Sequence, residues 1–511
     1  MGKFKTDSYL LHVAFLFLLY FIIKKLLLGI YIEKSAFLAP LQTDAIRCFG
    51  LFFSIFLIIP FRKLKWNEFD FQNSLKWFIF LVASILTYKL ACSRFDYYAN
   101  SWWLCLRISL FISTLLILLR PIFVQLHVLI CLIFIYHIFH DFGHYYLNYY
   151  WIIINILLLF SAFIYINRML DVKTSHFIQA VIAFQISGYI LSGISKLLIS
   201  PNGLEWIFEN DLSLLFHNAN LRGWLSNLPT EMNESVSVFL NSYGKLLNIL
   251  TFFMEIGMIF FFLNSKLARF FLIGILLFHI GTMAISGVFF WVWIILDVAI
   301  ILCFLQFNQF LKEYLFGKKS LYKSFLLIGL SILLVKPPIY AWFDSPYQWF
   351  VKVMVEDIDG KKYVMHKHDF GLYSPYFTQG YLKYTINSKL LSPSGYATHK
   401  YKEFQALKKS KITSLDSVKN KFGKNYYDAD KDSFVTQFLT NYYQHINNLL
   451  KKPCTYNYPG SLKQLYMYQP LQEKYRFNKK VVRVSLVLNK YYFTNDSYKL
   501  IDKTTYKSID I

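Results

Sequence analysis

Residues 137–150, HIFHDFGHYYLNYY, set His137, His140, Asp141 and His144 at spacings of three, four and seven, so all four share one face of a helix. Three further sets of polar groups interrupt apolar sequence. Lys196 closes the run FIQAVIAFQISGYILSGISKLL, with Ser192, Tyr189 and Gln185 behind it on the same helical face. Glu255 sits inside LLNILTFFMEIGMIFFFL, and His279 and Asp297 fall in the next two apolar runs. Ionisable side chains in a bilayer cost about 3 kcal/mol or more, so each marks proton transfer, ion passage or ligand holding. A lysine desolvated near a membrane interface has its charged form disfavoured and becomes a usable base. Histidines beside it could hold an anionic intermediate or a metal, and Glu255 could orient either. Each group also has a plainer reading. Lys196 could snorkel to headgroups, His144 with YYLNYY could form an interfacial aromatic belt, and Glu255 with His279 could be a structural pair. HxxH and HDxxH are weak ligand signatures, and no metal is expected.

The elements that carry these groups belong in a membrane. The chain has 511 residues, of which 56% are hydrophobic, above the roughly 45–50% of soluble domains. The apolar spans expected are 9–31, 43–60, 77–93, 102–120, 122–140, 151–167, 177–197, 247–264, 270–286, 288–307 and 324–340. The net charge of +23 includes lysines that mark short cytoplasmic loops, and no arginine-rich stripe or zinc-finger spacing accompanies it, so no nucleic-acid partner is expected. Basic loops at 61–76, 167–173, 264–269 and 308–323 fall on one side of the alternating spans, and the acidic loop 198–246 falls on the other. The positive-inside rule then gives a cytoplasmic N-terminus and an extracytoplasmic C-terminus. The first span lacks a small-residue cleavage site and reads as an uncleaved anchor.

Residues 1–340 therefore read as an all-α polytopic bundle of about nine to eleven spans, and 341–511 as an extracytoplasmic, strand-rich α+β domain. In the second part, WFVKVMVEDIDGKKYVMHKHDF alternates around Asp359–Gly360 as a hairpin does. SFVTQFLTNYYQHINNLLKK has helical spacing, with Asp432 or Ser433 as N-cap, and VVRVSLVLNKYYF returns to strand. DADKDS (428–433) faintly suggests a calcium loop, but its sixth position is Ser433 and its twelfth Leu439, so a capped polar turn fits better. Six scattered cysteines form no CxxC; buried free thiols are the default, although Cys92 and Cys105 could pair across a short loop. No phosphate loop, dinucleotide fingerprint or nucleophile elbow occurs.

The segment SGYILSGISKLLISPNGLEW (187–206) resembles the signature of the vitamin K-dependent γ-carboxylase family and its bacterial relatives, the horizontally transferred transmembrane (HTTM) domain proteins. Gly193, Lys196, Leu197 and Trp206 stand where that family has a small-residue helix ending in Gly-x-x-Lys-Leu, a short loop and a tryptophan. FGHYYLNYYWIIIN (142–155) is similar to its histidine-plus-aromatic helix start, and FHIGTMAISGVFFW (278–291) to its Phe-His segment. The resemblance spans roughly residues 10–310. It implies a membrane enzyme using reduced vitamin K or menahydroquinone with O2 and CO2. Lys196 would be the base on the quinol, His144 its partner in stabilising intermediates, and His279 and Glu255 further members. Tyr189, Gln185, Trp206, His140 and Asp141 would line the cofactor.

The expected function is a carboxylase-like enzyme of the inner (plasma) membrane that modifies a secreted peptide or protein on its outer side. A non-catalytic membrane subunit for maturation or export of a peptide or natural product is the alternative. A lipid or ion carrier built on Glu255, His279 and Asp297 fits less well, because no inverted repeat is visible.

Overall fold

The computed structural model describes residues 8–31, 63–92, 101–139, 151–225, 229–306, 312, 314–335, 340–365, 367–450, 479–494 and 497–511. The helical part comprises α1 (Ser8–Tyr31), α2 (Gln72–Ala91), α3 (Ser101–Leu119), α4 (Phe123–Phe139), α5 (Trp151–Leu170), α6 (Thr174–Leu198), the short α7 (Glu205–Glu209) and α8 (Leu212–Leu221), α9 (Thr230–Gly257), α10 (Ser265–Ser286), α11 (Trp291–Ile300) and α12 (Lys318–Val335). Six of the described helical segments are long and apolar enough to cross a membrane: Tyr9–Leu28, Gln72–Ala91, Ile152–Leu170, Thr174–Leu198, Thr230–Leu263 and Ser265–Ser286. The chain is thus a multi-pass membrane protein. Shorter apolar helices occupy most of the other expected spans, and 43–60 lies outside the described residues.

Helix α6 is the axis of the bundle. It packs against α1, α5, α9, α11 and α12, and 21 of its 25 residues are buried, against 6 of 22 in α10, whose outer face is left for lipid. Lipid tails are as apolar as leucine, so close packing of small residues, rather than hydrophobicity, joins such helices. Gly193 shows this directly: a Cβ there would sit 2.8 Å from Ile256 Cγ1 and 3.2 Å from Glu255 Cβ, so only glycine lets α6 and α9 approach this closely.

The acidic stretch 198–246, expected as a loop, is largely helical. It holds α7, α8 and the first turns of α9, which starts after Pro229 and so begins well before the expected 247. Proline at that position needs no N–H partner, and the polar residues Glu231, Asn233 and Glu234 extend the helix into an aqueous layer.

The C-terminal part is α+β. Its main sheet is antiparallel with order β3-β2-β7-β8, formed by β2 (Tyr347–Asp357), β3 (Lys362–Met365), β7 (Val481–Thr494) and β8 (Ser497–Asp510). Two-residue pairs join β1 (Phe343–Asp344) to β5 (Ala397–Thr398) and β4 (Lys389–Leu390) to β6 (Lys424–Asn425). The β2–β3 hairpin turns at Asp359–Gly360 as expected. Gly360 has φ +78°, and Asp357 Oδ1 accepts from the amides of Asp359 and Lys361 at 3.0 and 2.9 Å. Four helices complete this part: α13 (Gln379–Leu382), α14 (Tyr401–Lys409), α15 (Leu415–Phe422) and α16 (Ala429–Leu449). Helix α16 buries Val435, Phe438, Leu439, Tyr442, Tyr443 and Ile446, one face at helical spacing. Its cap is Asp428, which accepts from the Lys431 amide at 3.1 Å, not Asp432 or Ser433. Asp430 and Asp432 of DADKDS therefore fall in the first turn, where the helix dipole favours them. Cys92 and Cys105 are both free.

Candidate functional site

The close crossing of α6 and α9 positions an ion pair. Lys196 Nζ donates to Glu255 Oε1 and Oε2 at 2.7 and 2.6 Å and to the Tyr340 carbonyl at 3.1 Å. It also stands 4.8 Å from the centroid of the Trp206 ring. Both partners are about 95% buried. The sequence suggested a lone desolvated lysine; the structure instead gives it a counter-ion. The pair is neutral as a unit, and the group in it with lone pairs to accept a proton is the carboxylate.

Seven residues back along α6, Tyr189 Oη donates to Asp297 Oδ2 of α11 at 2.7 Å, and Gln185 Nε2 donates to Asp297 Oδ1 at 2.8 Å. Tyr189 Oη also lies 3.1 Å from His279 Nε2 of α10. With Asp297 as the carboxylate, which only accepts, Tyr189 gives it its proton and the His279 contact has Nε2–H as the donor. In that state His279 Nδ1 carries a lone pair. Nδ1 is buried and has no hydrogen-bond partner.

Both networks border one cavity of about 410 Å³. Tyr189, Ser192, Lys196, Glu255 and His279 supply its polar wall, while Trp206, Phe278, Phe290, Trp293 and Trp342 give it flat aromatic surfaces. Leu250 of α9 and Leu277 of α10 also line it and are 45% and 64% exposed, so the cavity reaches the lipid-facing side between these helices. Gly281 lines the same cleft, and a Cβ there would meet no atom within 4 Å.

The wall beyond the bundle comes from the start of the C-terminal part. The Trp206 indole donates to the Trp342 carbonyl at 2.7 Å; the Asp344 amide donates to Asn210 Oδ1 at 2.8 Å, and Asn210 Nδ2 to Asp344 Oδ2 at 3.1 Å. Asn248 Nδ2 of α9 donates to the carbonyls of Ile207 and Asn210 at 3.1 and 2.9 Å. Burial pushes the Asp344 carboxyl up from 3.8 to about 7, although Asn210 and Trp342 donate to it. Glu209 of α7 accepts from Tyr401 Oη at 2.6 Å and from the Gln405 amide, both on α14.

Of the residues selected from the sequence, Lys196, Glu255, Tyr189, His279 and Trp206 converge on this cavity, and Gln185 stands behind it through Asp297. His140, Asp141 and His144 lie outside the described residues, as does the side chain of His137. Sequence reasoning missed Tyr340, Trp342, Asp344, Asn210 and Asn248. The only signal for them was the cluster of aromatics where the composition changes, at 340–343. Among the described residues, no three His, Cys, Asp or Glu side chains are grouped to hold a metal. No protein-family profile, curated protein or solved structure matches the chain.

Proposed function

We propose that this chain is an integral membrane enzyme that transfers protons to and from a lipid-soluble, hydroxyl-bearing substrate of quinol type, as in the vitamin K-dependent γ-carboxylase-like and HTTM proteins that its sequence resembles. The observation that carries the reading is His279 Nδ1, a buried ring nitrogen without a hydrogen-bond partner on a side chain that lines an apolar, aromatic-walled cavity. A substrate hydroxyl is the group that completes it. The residues fit a hydroquinone: the volume lies within the roughly 300–1,000 Å³ of ligand clefts, and the lipid-facing side gives an apolar molecule a way in. A bound reduced vitamin K or menahydroquinone would supply an acidic hydroxyl and, with O2, the oxidative chemistry that CO2 addition requires. His279 would accept the hydroxyl proton, with Asp297 and Tyr189 holding its tautomer. The Lys196–Glu255 pair would exchange the second proton through the Glu255 carboxylate. With the positive-inside orientation, the cavity opens on the extracytoplasmic half of the inner (plasma) membrane, where a secreted peptide would dock on residues 341–511.

The test is quenching of tryptophan fluorescence in the purified protein, titrated with menahydroquinone and with menaquinone under anaerobic conditions. Saturable quenching by both is expected. His279→Phe should weaken hydroquinone binding about tenfold while leaving the quinone, which has no hydroxyl to donate, nearly unchanged. Gly281→Phe, which fills the cleft, should weaken both. Absence of saturable quenching in the wild type would overturn the proposal.

One observation favours the non-catalytic reading. All three Lys196 donors are already used, on Glu255 and the Tyr340 carbonyl, as in a structural tie between α6, α9 and the C-terminal part. A peptide that co-purifies with the chain through residues 341–511, and still does so with Lys196→Met/Glu255→Gln, would support a maturation subunit.

A further inference from the structure

At the end of the bundle remote from Lys196, three helices begin side by side. Tyr9 Oη donates to Gln179 Oε1 at 3.0 Å, and Gln179 Nε2 donates to Ser320 Oγ at 2.8 Å. These bonds tie the first turns of α1 and α12 to the start of α6. At the other end, Lys24 Nζ reaches the Leu334 carbonyl at 2.6 Å, and Lys196 the Tyr340 carbonyl. Helices α1, α6 and α12 therefore run parallel, with their N-termini together. His176 and Lys196 are separated along α6 by about 30 Å, the thickness of a hydrocarbon core. The two ends belong to opposite membrane faces.

Each helix N-terminus presents unsatisfied amides and the positive end of a dipole. None of these three helices has an acidic residue in its first turn. The N-cap position of α6 is Lys173, which makes no side-chain cap. Between the helix starts, the rings of His12 and His176 lie 5.7 Å apart, and Nδ1 of each is buried without a partner. His176 is 5% exposed. Lys323 Nζ stands 4.2 Å from the Tyr9 ring centroid, and the charges of Lys323 and Lys173 both act on His176. Neither lysine has an ion-pair partner among the described residues. Three helix N-termini, two lysines without an ion-pair partner among the described residues and two imidazole nitrogens without a hydrogen bond thus lie at this end of the bundle.

We propose that this end of the bundle binds a phosphate group, carried by an anionic phospholipid of the leaflet it faces. Helix N-termini and basic pockets between spans are where such headgroups are held. The lipid source follows from α1: Leu11, Phe15 and Leu18, on its outward face beside the cluster, are 57%, 42% and 54% exposed and offer an apolar track for acyl chains.

The experiment compares purified full-length protein in detergent with added phosphatidylglycerol, phosphatidylcholine or inorganic phosphate, reading the thermal unfolding midpoint and the lipid retained in native mass spectra. Phosphatidylglycerol should raise the midpoint and remain bound, and phosphatidylcholine should do neither. Lys323→Gln and His12→Phe, both at partly exposed positions, should each remove at least half of the shift, while Lys266→Gln, an exposed lysine at the start of α10, should not. Inorganic phosphate alone giving the full shift would reassign the site to soluble phosphate and overturn the lipid assignment. No shift specific to phosphatidylglycerol, or equal losses in all three variants, would overturn the site.

Discussion

Lys196 and Glu255 are 59 residues apart in the chain and 2.6 Å apart in space. Each was legible alone, because an ionisable group inside an apolar run is costly and conspicuous, and the spacing of Gln185, Tyr189, Ser192 and Lys196 already placed one polar face on α6. Their partners were not legible. Nothing in the run containing Glu255 says that Lys196 neutralises it, or that Asp297 rather than Glu255 anchors Tyr189 and, through it, His279. This pairing makes a sharp prediction. Lys196→Met alone leaves a buried carboxylate uncompensated and should destabilise the protein by about 3–5 kcal/mol. Adding Glu255→Gln removes the stranded charge and should recover most of the loss. Thermal unfolding of both variants checks it; a single variant as stable as the wild type would mean that Lys196 does not neutralise Glu255. The same comparison separates folding from chemistry, since a stable double variant that still binds substrate but turns none over would assign the pair a chemical role.

At the scale of elements, six of the expected spans are found as helices of membrane length because a twenty-residue apolar helix has few alternatives in sequence, and the hairpin at Asp359–Gly360 was equally plain. The stretch 198–246 was misread because its polar composition fits both a loop and a helix outside the hydrocarbon. Its helices α7 and α8 hold the segment 340–344 in place, chiefly through the Asn210–Asp344 contacts. That joint should respond to pH. The Asp344 carboxyl is held at about 7 in the fold against an ordinary value of 3.8, so the folded state binds this proton more tightly than the unfolded chain does. Its contribution to stability is complete below about pH 4 and is lost as pH rises through about 7. The unfolding midpoint should therefore fall between pH 5 and pH 8, and Asp344→Asn should flatten that fall. An unchanged slope in the variant would show that another group governs it.

For the whole molecule, composition separates a membrane part from a strand-rich part near residue 340, yet it treats the two as neighbours on a string. The fold instead closes the membrane cavity with the first residues of the second part: the Tyr340 carbonyl completes the bonds of Lys196, and Trp342 forms one wall. The α+β part is thus coupled to the site inside the bundle. If Trp342 is that wall, opening it should admit water and reagents to Lys196, which is 4% exposed. Acylation of Lys196 by a water-soluble amine reagent, followed by mass spectrometry of the intact protein's peptides, should be very slow in the wild type and at least tenfold faster in Trp342→Ala. Trp77→Ala, which removes an exposed ring from α2, should leave the rate unchanged. Equal rates in Trp342→Ala and the wild type would mean that the bundle alone shields the lysine, and the C-terminal part would then be an independent module rather than a lid built into the site.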